Sequence, residues 1–151
     1  MKENAIVSLA DSNYFDLLNE LIDSILKFDE SKDVAICILD AGLTDNQKKI
    51  LLTKVDEIKN AEWDIEVPGF KVRGKEWLKS QVSRAFIPNY FPNFKKYLWI
   101  DCDAWVQEWS AIDLYFKACD NGKLGITQTM APGYRIMSKV KWIFGKLAVI
   151  K

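Results

Sequence analysis

The sequence predicts an α/β fold with a mainly parallel sheet and helices on both of its faces. Three observations carry that expectation. Short β-prone runs alternate with stretches of helical period along the chain. Residues 34–39 (VAICIL) are apolar throughout, as suits a strand covered on both sides. The first strand passes through a polar turn straight into an amphipathic helix, the opening of a βαβ unit.

Residues 5–9 (AIVSL) read as that first strand, and Ala10-Asp11-Ser12-Asn13 as the turn that ends it. From Tyr14 the period changes. Tyr14, Leu17, Leu18, Leu21, Ile22, Ile25 and Leu26 recur at helical spacing, with Asp16, Asn19, Glu20 and Asp23 opposite. After the 34–39 strand, Asp40-Ala41-Gly42 breaks the apolar run. Thr44-Asp45-Asn46-Gln47 then fits a capping box, opening a helix expected to reach about Ile58. Trp63, Ile65 and Val67 alternate with Asp64 and Glu66, which predicts a strand stopped by Pro68-Gly69. A helix is expected over residues 75–86, with Ile87-Pro88 and Phe91-Pro92 as its exit, because a residue before proline avoids helical angles. Residues 97–100 (YLWI) form the next strand. A helix over 111–119 capped by Ser110, a turn at Asn121-Gly122 and a strand over 124–127 complete the reading. With no repeat, linker or low-complexity segment, residues 1–151 read as one domain.

Composition narrows the function. At 17.4 kDa, with 49% hydrophobic and 28% charged residues, the chain is typical of a soluble protein with a single core. Twenty-one basic residues balance twenty-one acidic ones, so no excess of cations favours nucleic acid as a partner. Cys37, Cys102 and Cys119 lack metal-ligand spacing and are odd in number, which suits reduced thiols and a cytoplasmic location. No signal-peptide pattern and no run of ~20 apolar residues is present. The chain contains no histidine, so carboxylates must carry any metal chemistry within these residues. Beyond Asp120 every charged residue is basic. Residues 139–151 combine lysines with Trp142, Ile143, Phe144 and Leu147, which suits either an anionic membrane surface or packing on protein.

In an open parallel sheet, ligands collect beyond the carboxyl ends of the strands. Two polar clusters lie at such ends: residues 10–14 after the first strand, and Asp101-Cys102-Asp103 after YLWI. On an extended segment, Asp101 and Asp103 point to the same side. Their charges repel unless a cation lies between them, and Mn²⁺ or Mg²⁺ meets that need with oxygen ligands. A solvated turn accounts for the same residues without a metal.

Three blocks in order carry a more specific signal: residues 6–18 (IVSLADSNYFDLL), 36–44 (ICILDAGLT) and 83–106 (SRAFIPNYFPNFKKYLWIDCDAWV). Together they resemble the family 8 glycosyltransferases, over roughly the first 110 residues. The resemblance implies a GT-A fold, in which a Rossmann-like nucleotide-binding sheet merges with an acceptor-binding half. It implies transfer of a hexose, glucose or galactose, from a UDP-sugar to an acceptor hydroxyl with retained configuration, generally with Mn²⁺. By position, Asp11 matches the residue that reads the uracil edge and Tyr14 the aromatic that stacks on it. Ala10 would let the backbone approach the base, and Asn13 matches a ribose or metal-proximal contact. Arg84 matches the arginine near the donor sugar and diphosphate. Asp101 and Asp103 match the metal carboxylates, and Cys102 the residue whose backbone faces the ribose. From the residues alone, Asp11, Ser12 and Asn13 are equally good helix caps, and Tyr14 the start of a helical stripe.

The family's later blocks, which supply a histidine ligand, a lysine near the diphosphate and the acceptor site, have no counterpart here. The expectation is therefore the donor-binding portion, incomplete toward the C-terminus, with weak nucleotide binding by itself. Its acceptor is a glycan, a lipid or a protein. A non-catalytic binding module is the alternative, as is a fragment that self-associates through exposed apolar surface. A sugar nucleotidyltransferase would need a glycine-rich basic loop after the first strand, and residues 10–13 do not supply one.

Overall fold

The computed structural model describes residues 2–126. Among them, strands β1 (Asn4–Ala10), β2 (Val34–Asp40), β3 (Glu57–Asn60) and β4 (Lys96–Trp99) form one sheet in the order β3-β2-β1-β4. Every pairing is parallel: β1 with β2, β1 with β4, and β2 with β3. The helices are α1 (Phe15–Leu26), α2 (Asp45–Leu51), α3 (Gly69–Val72), α4 (Lys79–Ser83), α5 (Ile87–Tyr90) and α6 (Trp109–Ala118).

Side chains alternate across each strand, so each strand feeds two cores. Ile6, Ile36 and Ile38 pack with Leu18, Leu21, Ile22 and Ile25 of α1 and with Ile112 and Phe116 of α6. On the opposite face the strands present small residues, Ala5, Ala35 and Cys37, against the aromatic Phe91 and its neighbour Ile87. Helices thus cover both faces, as the apolar 34–39 run requires, and all seven residues of β2 are buried. Burial, more than the nearby acids Glu57 and Asp56, pushes the Cys37 thiol up to about 12, so it acts as a small core side chain.

Several boundaries differ from the sequence expectation. Thr44 and Gln47 do form the capping box, but α2 stops at Leu51 instead of running to Ile58. Residues 57–60 pair with residues 37–40 as β3, because the edge of β2 offers backbone partners that a longer helix would leave unmet. Asp56 pins the entry by accepting the Ile36 N–H at 2.8 Å and the Lys2 ammonium at 2.7 Å. The alternating stretch 63–67 is not a strand. The Tyr90 hydroxyl holds the chain there, accepting the Glu62 N–H at 3.0 Å and donating to the Asp64 carboxylate at 2.9 Å. The 75–86 helix is broken into α4 and single 3-10 turns on either side of it. Pro88 sits in the first turn of α5, where its missing N–H costs nothing, so it opens a helix where an exit was expected. Helix α6 starts at Trp109 behind Glu108. Ser110 makes no cap and donates to Glu108 Oε2 at 3.3 Å. Asn121 and Gly122 turn through left-handed φ of 61° and 71°, as expected. Residues 124–126 carry no strand, and Thr127 and residues 139–151 lie outside the described residues. Among the described residues no helix is long and apolar enough to cross a membrane.

One buried carboxylate organises the loops at the carboxyl end of the sheet. Asp40, 6% exposed, accepts the N–H groups of Gly42 at 2.7 Å and Leu43 at 2.6 Å. It also pairs with Lys48 at 2.7 Å. Burial raises its pKa, but the Lys48 hydrogen bond and the two backbone N–H groups outweigh that and hold the carboxyl below its ordinary value. Gly42, at φ 130°, then accepts the Ser12 N–H at 3.1 Å, and Gln47 donates to the Ser12 carbonyl at 3.2 Å. The β2–α2 loop in this way props the loop that follows β1.

Asp40→Asn is expected to lower unfolding free energy at pH 7 by about 1–3 kcal/mol, read from urea denaturation. A folded pKa below the unfolded one contributes stability that is fully present above ~3.9 and lost as pH falls through the folded value. The gap between wild type and variant should therefore close in strong acid. A gap that stays constant with pH would show that the ionised carboxylate is not the stabilising species.

Candidate functional site

The strand order turns back at β1. From β1 the chain builds outward through β2 to β3 on one side, and β4 joins on the other. The loops after β1 and β4 therefore diverge side by side, which is where an open parallel sheet forms a crevice. A cleft of about 220 Å³ opens there, bordered by Asp11 and Tyr14 from one loop and Asp101 and Asp103 from the other. Ala10, Cys102 and Arg84 line it too, so the fold gathers seven of the eight expected site residues. Asn13 is not among the lining residues.

The β1 loop is held by its own hydrogen bonds. Asp11 Oδ1 accepts the N–H of Asn13 at 2.9 Å and of Tyr14 at 3.2 Å. The Asn13 amide reaches Asp11 Oδ2 only at 3.4 Å, so that oxygen keeps acceptor capacity. Asn13 thus orders Asp11, which closes the turn before α1 without capping the helix: the N-cap is Tyr14, and no side-chain cap hydrogen bond forms there. Tyr14 stands at the N-cap of α1 and is 46% exposed, so its ring is not absorbed into the helix core.

The β4 loop is not extended as expected. The Ala104 N–H bonds the Asp101 carbonyl at 3.0 Å, closing a tight turn over Cys102 and Asp103. Both carboxylates border the cleft nonetheless. Arg84 donates to Asp101 Oδ1 at 2.6 Å and through Nε to the Ser80 carbonyl at 3.0 Å. Its guanidinium lies 5.0 Å from the centre of the Trp99 ring, and Trp99 Nε1 donates to the same Asp101 oxygen at 2.8 Å. With side chains 39% and 54% exposed, the Arg84–Asp101 pair adds only ~0–1 kcal/mol, so its effect is one of geometry. Among the described residues no hydrogen bond or ion pair engages the Asp103 carboxylate.

Burial pushes the Cys102 thiol up to about 11, with the charges of Asp103, Asp101 and Asp11 adding to it. At neutral pH it is therefore a thiol, neither nucleophile nor thiolate ligand. Among the described residues no set of three acidic, cysteine or histidine ligands forms a ready-made metal cage. Two carboxylates with unused oxygens beside a protonated thiol nonetheless fit a hard divalent cation that completes its shell with water or phosphate.

Five lining residues escaped the sequence reading: Leu9, Trp77, Ser80, Gln81 and Trp99. A signal existed for most of them. Residues 77, 80, 81 and 84 recur at helical spacing, and Trp99 precedes Asp101 by only two residues.

Known proteins share this arrangement. The family model described as Glycosyl transferase family 8 matches residues 5–123. An active-site mutant of LgtC superposes with a TM-score of 0.55 at 20% identity, covering 74% of this chain and 41% of that one. Galactosyltransferase LgtC in complex with donor and acceptor sugar analogs gives 0.53 at 18% identity, covering 72% and 41%. No curated protein matches the chain. The chain spans about two fifths of the LgtC structures, and with them it shares the GT-A fold. Since the matched residues include all of β2, β3 and β4, all of β1 but Asn4, and both loops that border the cleft, this chain belongs to glycosyl transferase family 8.

Proposed function

We propose that the cleft binds the nucleotide of a UDP-sugar with a divalent cation, and that the chain is the donor-binding part of a retaining hexosyltransferase. The observation that carries this reading is the meeting, in one cleft, of an exposed ring and a carboxylate from the β1 loop with two carboxylates and a guanidinium.

Tyr14 offers a flat face to uracil, and Asp11 Oδ2 can accept the imide N–H. Ala10, with only a methyl group, lets the base approach the backbone, while Asn13 keeps Asp11 oriented at the ribose end. The Cys102 backbone faces the ribose. Asp101 and Asp103 would hold Mn²⁺ or Mg²⁺, which would supply positive charge against the diphosphate. Arg84 supplies a second positive group with a fork suited to phosphate oxygens. The hexose, glucose or galactose, would pass to a hydroxyl of a glycan, lipid or protein. A module that binds the donor without turnover is the second reading, favoured by the lack of a third protein ligand among the described residues.

Calorimetry with UDP should show binding that strengthens when Mn²⁺ is present. Absence of heat at millimolar UDP and Mn²⁺, in a folded sample, removes the nucleotide reading. Tyr14→Ala is expected to cost about 1–3 kcal/mol, roughly a ten- to hundred-fold weaker UDP affinity with or without metal. Asp103→Asn should abolish the gain from Mn²⁺ and leave metal-free UDP binding in place. A hexosyl-transfer or donor-hydrolysis assay separates the two readings, since binding without turnover supports the module.

A further inference from the structure

We infer that Trp99 is a positioning residue that fixes Asp101 for the cation, through its indole N–H, independently of Arg84. The inference rests on the proposed donor site.

Three contacts carry it. The indole N–H and the Arg84 guanidinium converge on one atom, Asp101 Oδ1, at 2.8 and 2.6 Å. No described residue hydrogen-bonds Oδ2, which stays available to a metal. The guanidinium also lies against the Trp99 ring, 5.0 Å from its centre, so one side chain serves both as donor to Asp101 and as the surface on which Arg84 rests.

The two donors differ in what they can do once a ligand arrives. Arg84 is charged, half-exposed and tied to α4 through the Ser80 carbonyl. A diphosphate beside it competes with Asp101 for its N–H groups. Trp99 is neutral and fixed in β4, at the strand's end just before the turn that carries Asp101, so a phosphate attracts it less than it attracts the charged Arg84. A neutral donor also orients the carboxylate without adding positive charge that would oppose a divalent cation. When Arg84 turns to the diphosphate, the indole alone keeps Asp101 from rotating. Partners of this kind, behind a metal's own ligands, commonly contribute ten- to hundred-fold in metal affinity.

Trp99→Phe tests this, since it keeps an aromatic ring for Arg84 while removing the N–H together with part of the ring; the melting temperature and the Trp99→Tyr variant separate out the packing effect. Mn²⁺ binding would be followed by the electron paramagnetic resonance of free Mn²⁺, with and without UDP, alongside calorimetry with UDP in EDTA and thermal melting in EDTA. The expected result is a roughly ten-fold loss of Mn²⁺ affinity in the presence of UDP, with metal-free UDP binding and melting temperature unchanged. Wild-type Mn²⁺ affinity in the variant overturns the inference and leaves the donor site intact. A parallel fall in metal-free UDP binding and melting temperature, repeated in Trp99→Tyr, assigns Trp99 a packing role and overturns it as well. If the wild-type protein itself binds no Mn²⁺ with UDP, the donor-site reading fails and takes this inference with it.

Discussion

Parallel pairing of β1 with neighbours on both sides is the constraint on which the rest of the molecule depends. Because β2 and β4 run with β1, all three strands end at the same edge of the sheet. Because the chain builds away from β1 in both directions, no crossover segment fills the space between the β1 and β4 loops. A cleft at that junction is a product of topology, and the side chains that line it inherit their neighbourhood from it. The apolar faces of the strands make this possible. Ile6 and Val7 feed opposite cores, so β1 is fixed from both sides and its register with β2 and β4 cannot slip.

Charge at that edge is concentrated and unevenly compensated. Asp40 is buried and fully engaged, by two backbone N–H groups and Lys48, and serves architecture. Asp101 has one oxygen engaged, and Asp103 has no partner among the described residues. The gradient from satisfied to unsatisfied carboxylates runs from the interior of the fold to the mouth of the cleft. A cleft mouth at which Arg84 engages only one oxygen of Asp101 and no hydrogen bond or ion pair among the described residues engages Asp103 suits a ligand that brings positive charge with it. The Cys102 thiol is raised chiefly by its burial, with the same crowding of charge adding to it.

What the sequence made visible followed from local chemistry. The apolar 34–39 run, the Thr44–Gln47 box and the polar cluster at residues 101–103 after β4 each depend on residues close in sequence, and each is present in the fold, although 101–103 form a turn where an extended segment was expected. What stayed hidden depended on distant partners. Nothing near residues 57–60 announces a strand, because its pairing is decided by the open edge of β2. Pro88 reads as a stop until the chain before it is seen to turn, at which point it is a start. Trp99 reads as core strand because its sequence neighbours are apolar. Only the approach of Arg84, fifteen residues earlier, makes its N–H part of a site. The site's carboxylates and Arg84 were legible; the indole N–H of Trp99 that also aims Asp101 was not.

The two loops bordering the cleft are rigid for different reasons, and the difference bears on what each can recognise. The β1 loop is closed by bonds of Asp11 to its own backbone and braced from behind by Gly42 and Gln47. Its geometry is set before any ligand arrives, which suits a flat, neutral group such as a base, whose binding cannot by itself reorganise a loop. The β4 loop is aimed instead by Arg84 and Trp99, side chains from outside it, one of which a phosphate can attract. It suits a charged group that exchanges partners as it binds. Recognition of a neutral end by a fixed surface and of an anionic end by an exchangeable one is what a nucleoside diphosphate requires. Under the proposed donor site, specificity for the nucleoside would reside in the β1 loop, and the binding of the charged end would depend on how firmly Asp101 is held while Arg84 moves.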